Sequence, residues 1–117
     1  IINLENCEIS GRGMHAIFLA FRANWGFSLG LEELNISDNG MNSDASEACI
    51  QWAMDVSKYC NLSRLSVANT GVAVGRLCSH LTEMANLKYI NISGNRFDKD
   101  FDNLTKLCQS STSLEVY

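Results

Sequence analysis

Hydrophobic residues recur at the same relative positions in three segments of the chain. Two segments read LEELNISDNGM at 31–41 and LKYINISGNRF at 87–97, with apolar residues at positions 1, 4, 6 and 11 and asparagine at position 9. A further copy, LSRLSVANTGV at 62–72, keeps the apolar positions and carries Thr70 where the others carry asparagine. Such self-similarity at a regular interval indicates a repeat architecture.

Partial copies lie at both ends of the sequence. INLENCEI at 2–9 matches the end of the pattern, and LEVY begins a new copy at Leu114. Repeat starts near 31, 62, 87 and 114 make residues 1–117 one segment of about four units. Neither end carries the polar capping repeat of an intact array, so we expect the segment to be a fragment of a longer array.

The alternation inside each copy predicts a short strand. Leu34 and Ile36 should face a core while Asn35 faces solvent, because successive strand side chains point to opposite faces. The intervals between copies carry apolar stripes at helical spacing, which predict helices at 11–24, 43–59, 73–85 and 98–111. Asp44 and Glu47 have a spacing like that of a capping box at the start of the second helix.

Repeated strand–helix units predict an α/β fold with parallel strands stacked side by side and helices outside. Helices need more arc length than strands, so the sheet should lie on the concave side. We call the ninth position of the pattern the asparagine slot; it holds Asn39, Asn95, Thr70 and Cys7. The side chain in this slot should form hydrogen bonds with backbone groups of neighbouring turns.

One segment, NWGFSLG at 24–30, lengthens its unit and is predicted to be a glycine-flanked loop. Trp25 and Phe27 either cover the seam between the helix and the next strand or form an exposed aromatic contact. The sequence leaves both alternatives open.

These motifs, LxxLxIxxNxM at 31–41, LxxLxVxxTxV at 62–72 and LxxIxIxxNxF at 87–97, resemble leucine-rich repeats of the ribonuclease-inhibitor-like type. The resemblance implies a horseshoe-shaped solenoid that acts as a non-catalytic protein-interaction scaffold.

A narrower resemblance is carried by NISDNGMNSD at 35–44 and by the uneven unit lengths, which look like the repeat domain of the CARMIL family. That resemblance implies a large cytosolic regulator of actin capping protein. The capping-protein-binding motif of that family lies after the repeats, so no functional residue is carried over. The alternatives are the ligand-sensing repeats of a NOD-like immune receptor and a purely structural or dimerisation array.

The composition limits the classes of partner that the chain can bind. The net charge is −4 and no basic run occurs, so nucleic-acid binding has little electrostatic basis. No apolar run approaches the roughly 20 residues that a membrane-spanning helix needs, so we expect no direct membrane insertion. The cysteine count is 5, an odd number, and no CxxC occurs. We therefore predict five free thiols, small buried residues of a cytoplasmic protein.

Candidate chemistry is sparse. The histidines, His15 and His80, have no partner at catalytic spacing, since Cys78 and His80 diverge on a helix. No phosphate-binding loop and no metal-ligand spacing is found. We therefore predict no enzymatic activity, no cofactor and no metal.

The remaining candidate is the solvent-facing side of the strands, which should bind a protein partner or a second copy of the chain. Arg64 and Tyr89 lead, because arginine and tyrosine are enriched in binding hot spots. A row of outward positions should run from Ile1 through Arg64 and Tyr89 to Val116. The candidate partner-binding residues are Glu33, Asn35, Ser37, Arg64, Ser66, Tyr89, Asn91 and Ser93.

Overall fold

The computed structural model describes residues 1–97, 101–110 and 113–117. Its strands are β1 (Ile2–Asn3), β2 (Glu33–Asn35), β3 (Arg64–Ser66), β4 (Tyr89–Asn91) and β5 (Glu115–Val116). Its helices are α1 (Gly11–Ala23), α2 (Trp25–Gly30), α3 (Ser43–Val56), α4 (Val74–Leu81) and α5 (Phe101–Ser110). The start predicted for the last helix, at 98–100, lies outside the described residues.

The strands form a parallel sheet in the order β1-β2-β3-β4-β5, so each strand pairs with the next strand of the sequence. Leu34 pairs with Leu65, and Leu65 pairs with Ile90, which places equivalent positions of the repeat side by side. The prediction of a mixed α/β fold with a parallel sheet is therefore confirmed.

The register at the last strand differs from the prediction. Ile90 pairs with Val116 and Tyr89 pairs with Glu115, so Val116 belongs to the inward row and its predicted place beside Tyr89 was wrong. The error came from taking Leu114 as the first position of the last copy. The strand register places Ser113 at the first position of the last copy. Because serine is polar, it did not match the leucine of the pattern.

The inward strand positions are buried in one hydrophobic core with the helices. Trp52 of α3 and Phe18 of α1 are at most 1% exposed, and their ring centroids lie 5.6 Å apart. The predicted alternation is confirmed, since all six inward residues are buried: Leu34, Ile36, Leu65, Val67, Ile90 and Ile92.

The segment predicted as a loop forms the short helix α2. Ser28 fixes it to the core, because its buried hydroxyl donates to the Phe21 carbonyl at 2.6 Å and accepts the Trp52 indole N–H at 3.2 Å. Phe27 packs on Phe21 with ring centroids 5.6 Å apart, yet it remains 47% exposed. Trp25 is 44% exposed, so α2 both covers the core and presents aromatic surface.

The start of α3 is capped differently from the prediction. Asn42 is the N-cap, and its side-chain oxygen accepts the backbone N–H of Ala45 at 2.8 Å. Glu47 instead pairs with Arg76 of α4 at 2.6 and 2.9 Å. Those hydrogen bonds, with a further one from Gln51, lower the pKa of Glu47 to about 2. The pair lies at the surface, where such ion pairs contribute only about 0.2–1 kcal/mol.

Asn39 joins the turn after β2 to the preceding turn. Its side chain is buried and donates to the Leu4 carbonyl at 2.7 Å and the Ile36 carbonyl at 3.1 Å. Its oxygen accepts the backbone N–H of Ile9 at 3.0 Å. The predicted role of the asparagine slot is thus confirmed at this position.

Asn95 repeats the arrangement two units further along, after β4. It donates to the carbonyls of Val67 and Ile92, both at 3.0 Å, and accepts the N–H of Gly71 at 2.8 Å. At Thr70, which replaces asparagine, the hydroxyl donates to the Val67 carbonyl of its own turn at 2.8 Å and lies 3.5 Å from the Asn95 side-chain oxygen of the next turn. Within the described residues it bonds no backbone group of a neighbouring turn. No buried side-chain nitrogen or oxygen within the described ranges lacks a hydrogen-bond partner.

The residue before each slot adopts a left-handed backbone conformation, with φ between 51° and 71° at Asn6, Asp38, Asn69 and Gly94. Asparagine, aspartate and glycine tolerate this region best. Every turn is therefore built in the same way, which keeps consecutive strands in register.

The five cysteines are all free thiols. Cys49, Cys60 and Cys78 are buried as predicted, and burial raises the pKa of Cys49 and of Cys78 to about 12. Cys7 and Cys108 are exposed, so their predicted burial was wrong. Cys7 follows the edge strand β1, and Cys108 follows the buried Leu107 in α5, the last described helix.

Leu65→Ala should lower the free energy of unfolding by about 2–5 kcal/mol, because it leaves a cavity in the core. Ser66→Ala, one position away on the opposite face, should cost only about 0.5–1.5 kcal/mol, since it removes one hydrogen bond. Chemical denaturation measures both values. Equal losses would contradict the register of β3.

Asn39→Ala should destabilise the protein by at least about 1–3 kcal/mol, because it leaves buried backbone groups of two turns unsatisfied. The matched control is Asn24→Ala, since Asn24 is exposed and its side chain makes no capping bond. Thermal unfolding of both variants provides the comparison. A control as destabilised as Asn39→Ala would argue against the bridging role.

Thiol titration without reductant should find five reactive cysteines in denaturant. In the native protein near pH 8, Cys7 and Cys108 should react quickly and the three buried thiols only as the protein opens. Fewer than five thiols in denaturant would indicate a disulfide.

Candidate interaction face

The side of the sheet opposite the core carries outward strand residues. We call this surface the open face and define it by Glu33, Asn35, Arg64, Ser66, Tyr89 and Asn91. These side chains alternate with the buried Leu34, Leu65 and Ile90, so strand geometry fixes their direction. They line a shallow depression of about 230 Å³.

Arg64 and Tyr89, which lead the sequence-based candidates, are brought together. They are registered partners on β3 and β4, and the Arg64 Cζ atom lies 4.1 Å from the centroid of the Tyr89 ring. This is a cation–π contact. Glu33 is the registered neighbour of Arg64 on the other side, yet the two form no ion pair. The guanidinium therefore leans towards β4 and away from Glu33.

The aromatic surface continues beyond Tyr89 to Tyr117. Their ring centroids lie 5.2 Å apart with the planes tilted by 38°. The Tyr117 hydroxyl donates to the Glu115 carboxylate at 3.2 Å, and this hydrogen bond raises the pKa of Tyr117. Sequence reasoning missed Tyr117 and Glu115, although an alignment of the last copy one residue earlier would have found them.

The side chains of the outward asparagines form hydrogen bonds with the backbone of the turns that follow them. The Asn35 oxygen accepts the backbone N–H of Ser37 at 3.0 Å, and the Asn91 oxygen accepts that of Ser93 at 3.1 Å. A backbone N–H can only donate, so the amide orientation is fixed and each Nδ2 group points away from the turn. Asn3 makes the same bond to Glu5 at 3.0 Å, next to Asn35 in register.

The predicted serines lie in three different settings. Ser37 is only 2% exposed, so its predicted presentation to solvent was wrong. Its hydroxyl accepts the backbone N–H of Ala68 at 3.0 Å and shares a 2.6 Å hydrogen bond with Ser66, whose side chain is half-buried. The backbone of the next turn therefore covers Ser37. Ser93 is exposed and donates to Asn91 at 2.7 Å.

Other kinds of site find no support in the described parts of the chain. Across residues 1–97, 101–110 and 113–117, no group of three His, Cys, Asp or Glu side chains could hold a metal ion. None of the helices over those same residues has the length and apolar character to cross a membrane.

Comparison with known proteins gives one match. Residues 86–107 match the family model described as Leucine Rich Repeat. This segment contains β4 and part of α5, which is one unit of the pattern. No curated protein and no solved structure matches the chain. The match supports a leucine-rich repeat and hence a protein-interaction domain, while the ribonuclease-inhibitor-like type and the CARMIL resemblance stay predictions.

Proposed function

We propose that this chain is a non-catalytic protein-interaction module whose open face binds a protein partner or a second copy of itself. The repeat match at 86–107 supports the interaction class. The observation that supports the location is the contact of Arg64 with Tyr89, continued by Tyr117, on the strand side away from the core.

The backbone geometry favours binding at this face. Neighbouring strands hold their outward side chains about 4.8 Å apart, so a partner meets groups that are already positioned. Tyr89 has only two side-chain torsions to fix, and its packing between Arg64 and Tyr117 restricts them before binding. The entropy lost on association is therefore small compared with that of a flexible loop.

A finer proposal concerns the assembly of units. Continued stacking of the same unit would give a solenoid with the sheet on its concave side, as in ribonuclease-inhibitor-like repeats. The in-register pairing of all five strands supports this. The open face would then line the inside of the curve.

The kind of protein to which this chain belongs is also a proposal. A CARMIL-like cytosolic regulator of actin assembly is the reading that the sequence resemblance favours, with a NOD-like receptor or a structural array as alternatives. Any sequence that flanks these residues in the gene would discriminate among them. A basic, proline-rich tail favours the actin regulator, and an upstream nucleotide-binding loop favours the receptor.

The double variant Arg64→Ala/Tyr89→Ala should lose partner binding or self-association by more than about tenfold, because truncating hot-spot residues costs over 1 kcal/mol each. Affinity capture with quantified recovery measures partner binding, and analytical ultracentrifugation measures self-association. The matched control is Arg12→Ala/Tyr59→Ala, which removes the same residue types at exposed positions away from the open face.

The two doubles should have the same circular dichroism spectrum as the unmodified protein. If the open-face double stays folded and neither recovery nor oligomer mass changes, the open face is not the binding surface. The half-exposed aromatics of α2, Trp25 and Phe27, would then be the next candidates.

A further inference from the structure

We propose that the open face recognises an extended peptide segment through a carboxylate group, with the Arg64 guanidinium as the anchor. This inference rests on the proposed function and narrows it from a protein partner to a ligand of stated chemistry. An aspartate or glutamate side chain in an exposed strand-like segment of the partner would supply the carboxylate.

Arg64 is a positioned but unpaired donor. Its guanidinium is held over Tyr89 by the contact of 4.1 Å, and within the described chain it makes no ion pair and donates no hydrogen bond. A guanidinium carries only donors, in a planar fork that matches a carboxylate with two parallel bonds. Arg64 is exposed, so its donors can be reached from solvent.

The asparagines add further donors of fixed direction. Because the side-chain oxygens of Asn3, Asn35 and Asn91 accept backbone N–H groups, only their Nδ2 groups remain to meet a ligand. None of these three Nδ2 groups donates to another described residue. Asn35 and Asn91 flank Ser66 in register, so their amides and Arg64 form a field of donors across three strands.

This pattern matches the acceptors of an extended peptide. Such a chain presents backbone carbonyls at regular intervals, which the amides can bind, and a single acidic side chain can reach Arg64. The adjacent rings of Tyr89 and Tyr117 offer apolar contact area to the side chains of such a segment. The depression of about 230 Å³ has room for a side chain and not for a folded domain.

The acidic residues nearby limit the charge of the ligand. Glu33 borders Arg64 on β2, and Glu115 borders Tyr89 on β5. Glu5 lines the same depression as Arg64. A ligand with many negative charges would meet these three carboxylates, and like charges repel. One carboxylate in an otherwise uncharged segment is therefore favoured over a polyanion such as a nucleic acid.

The test is a nuclear magnetic resonance titration of the whole isotopically labelled chain with three acetylated and amidated peptides. They have the sequence Thr-Val-X-Val-Thr, where X is Glu, Gln or Lys. The Glu peptide should shift the Arg64 Nε–H signal and the side-chain amide signals of Asn35 and Asn91. It should bind at least about fivefold more tightly than the Gln peptide, because charge-assisted hydrogen bonds are stronger than neutral ones.

Three variants check the role of the anchor. Arg64→Gln should abolish the preference for Glu over Gln, and Arg64→Lys should keep only part of it, because lysine has the charge without the fork. Arg12→Gln removes the same charge from the exposed surface of α1 and should leave the preference unchanged. Backbone signals of the remaining residues report whether each variant is folded.

Equal binding of the Glu and Gln peptides would overturn the inference, as would tighter binding of the Lys peptide or an unchanged preference in folded Arg64→Gln. Absence of any shift at millimolar Glu peptide would overturn it too. The proposed function would survive these results if the Arg64→Ala/Tyr89→Ala double variant still lost its partner, because that experiment does not depend on the ligand being a peptide.

Discussion

The hydrogen bonds of one buried asparagine to two successive turns determine much of this structure. Each turn after a strand carries backbone groups that are removed from water and have no ladder partner. The side chain of Asn39 supplies a donor and an acceptor that reach both its own turn and the preceding one, and Asn95 does the same further along. An amide can do this because it carries both functions on one short side chain. The consequence is that the turns after β1 and β2 are fixed against each other, as are those after β3 and β4. The turns after β2 and β3 are joined by a backbone bond instead, from the Met41 N–H to the Thr70 carbonyl at 2.7 Å.

The register of the strands determines which of their side chains lie at the surface. Because strand side chains alternate, a slip of one residue would exchange the buried and exposed rows. With the turns fixed, Leu65 enters the core and Arg64 lies outside beside Tyr89. The contact between a cation and an aromatic ring on adjacent strands is therefore a product of the repeat and does not depend on a specialised loop. The same geometry aims the free amide donors of Asn35 and Asn91 away from the sheet.

The sequence predicted the features that depend on local periodicity. The strands, the inward rows and the helices after them follow from apolar spacing alone. The predictions were wrong where residues that are distant in sequence but close in space determine burial or secondary structure. Ser37 is covered by the backbone of the next unit, which no pattern within its own unit reveals. Cys108 has apolar neighbours in sequence but is exposed in the folded chain. Tyr117 was missed because polar Ser113 stands at the first position of the last copy. The segment containing Ser28 was predicted to be a loop, because the hydrogen bonds that hold it as a helix come from distant residues.

The central claim is that the register of the repeats assembles the open face before any partner arrives. Nuclear Overhauser contacts in the free protein test it most directly, between the side-chain protons of Arg64 and the ring protons of Tyr89. We expect strong contacts, together with an upfield shift of the Arg64 side-chain protons caused by the ring that lies 4.1 Å away. We also expect contacts between the rings of Tyr89 and Tyr117. Contacts of Arg64 with the inward residue Ile90 in place of Tyr89, or no contacts at all, would contradict the register or the preassembled face.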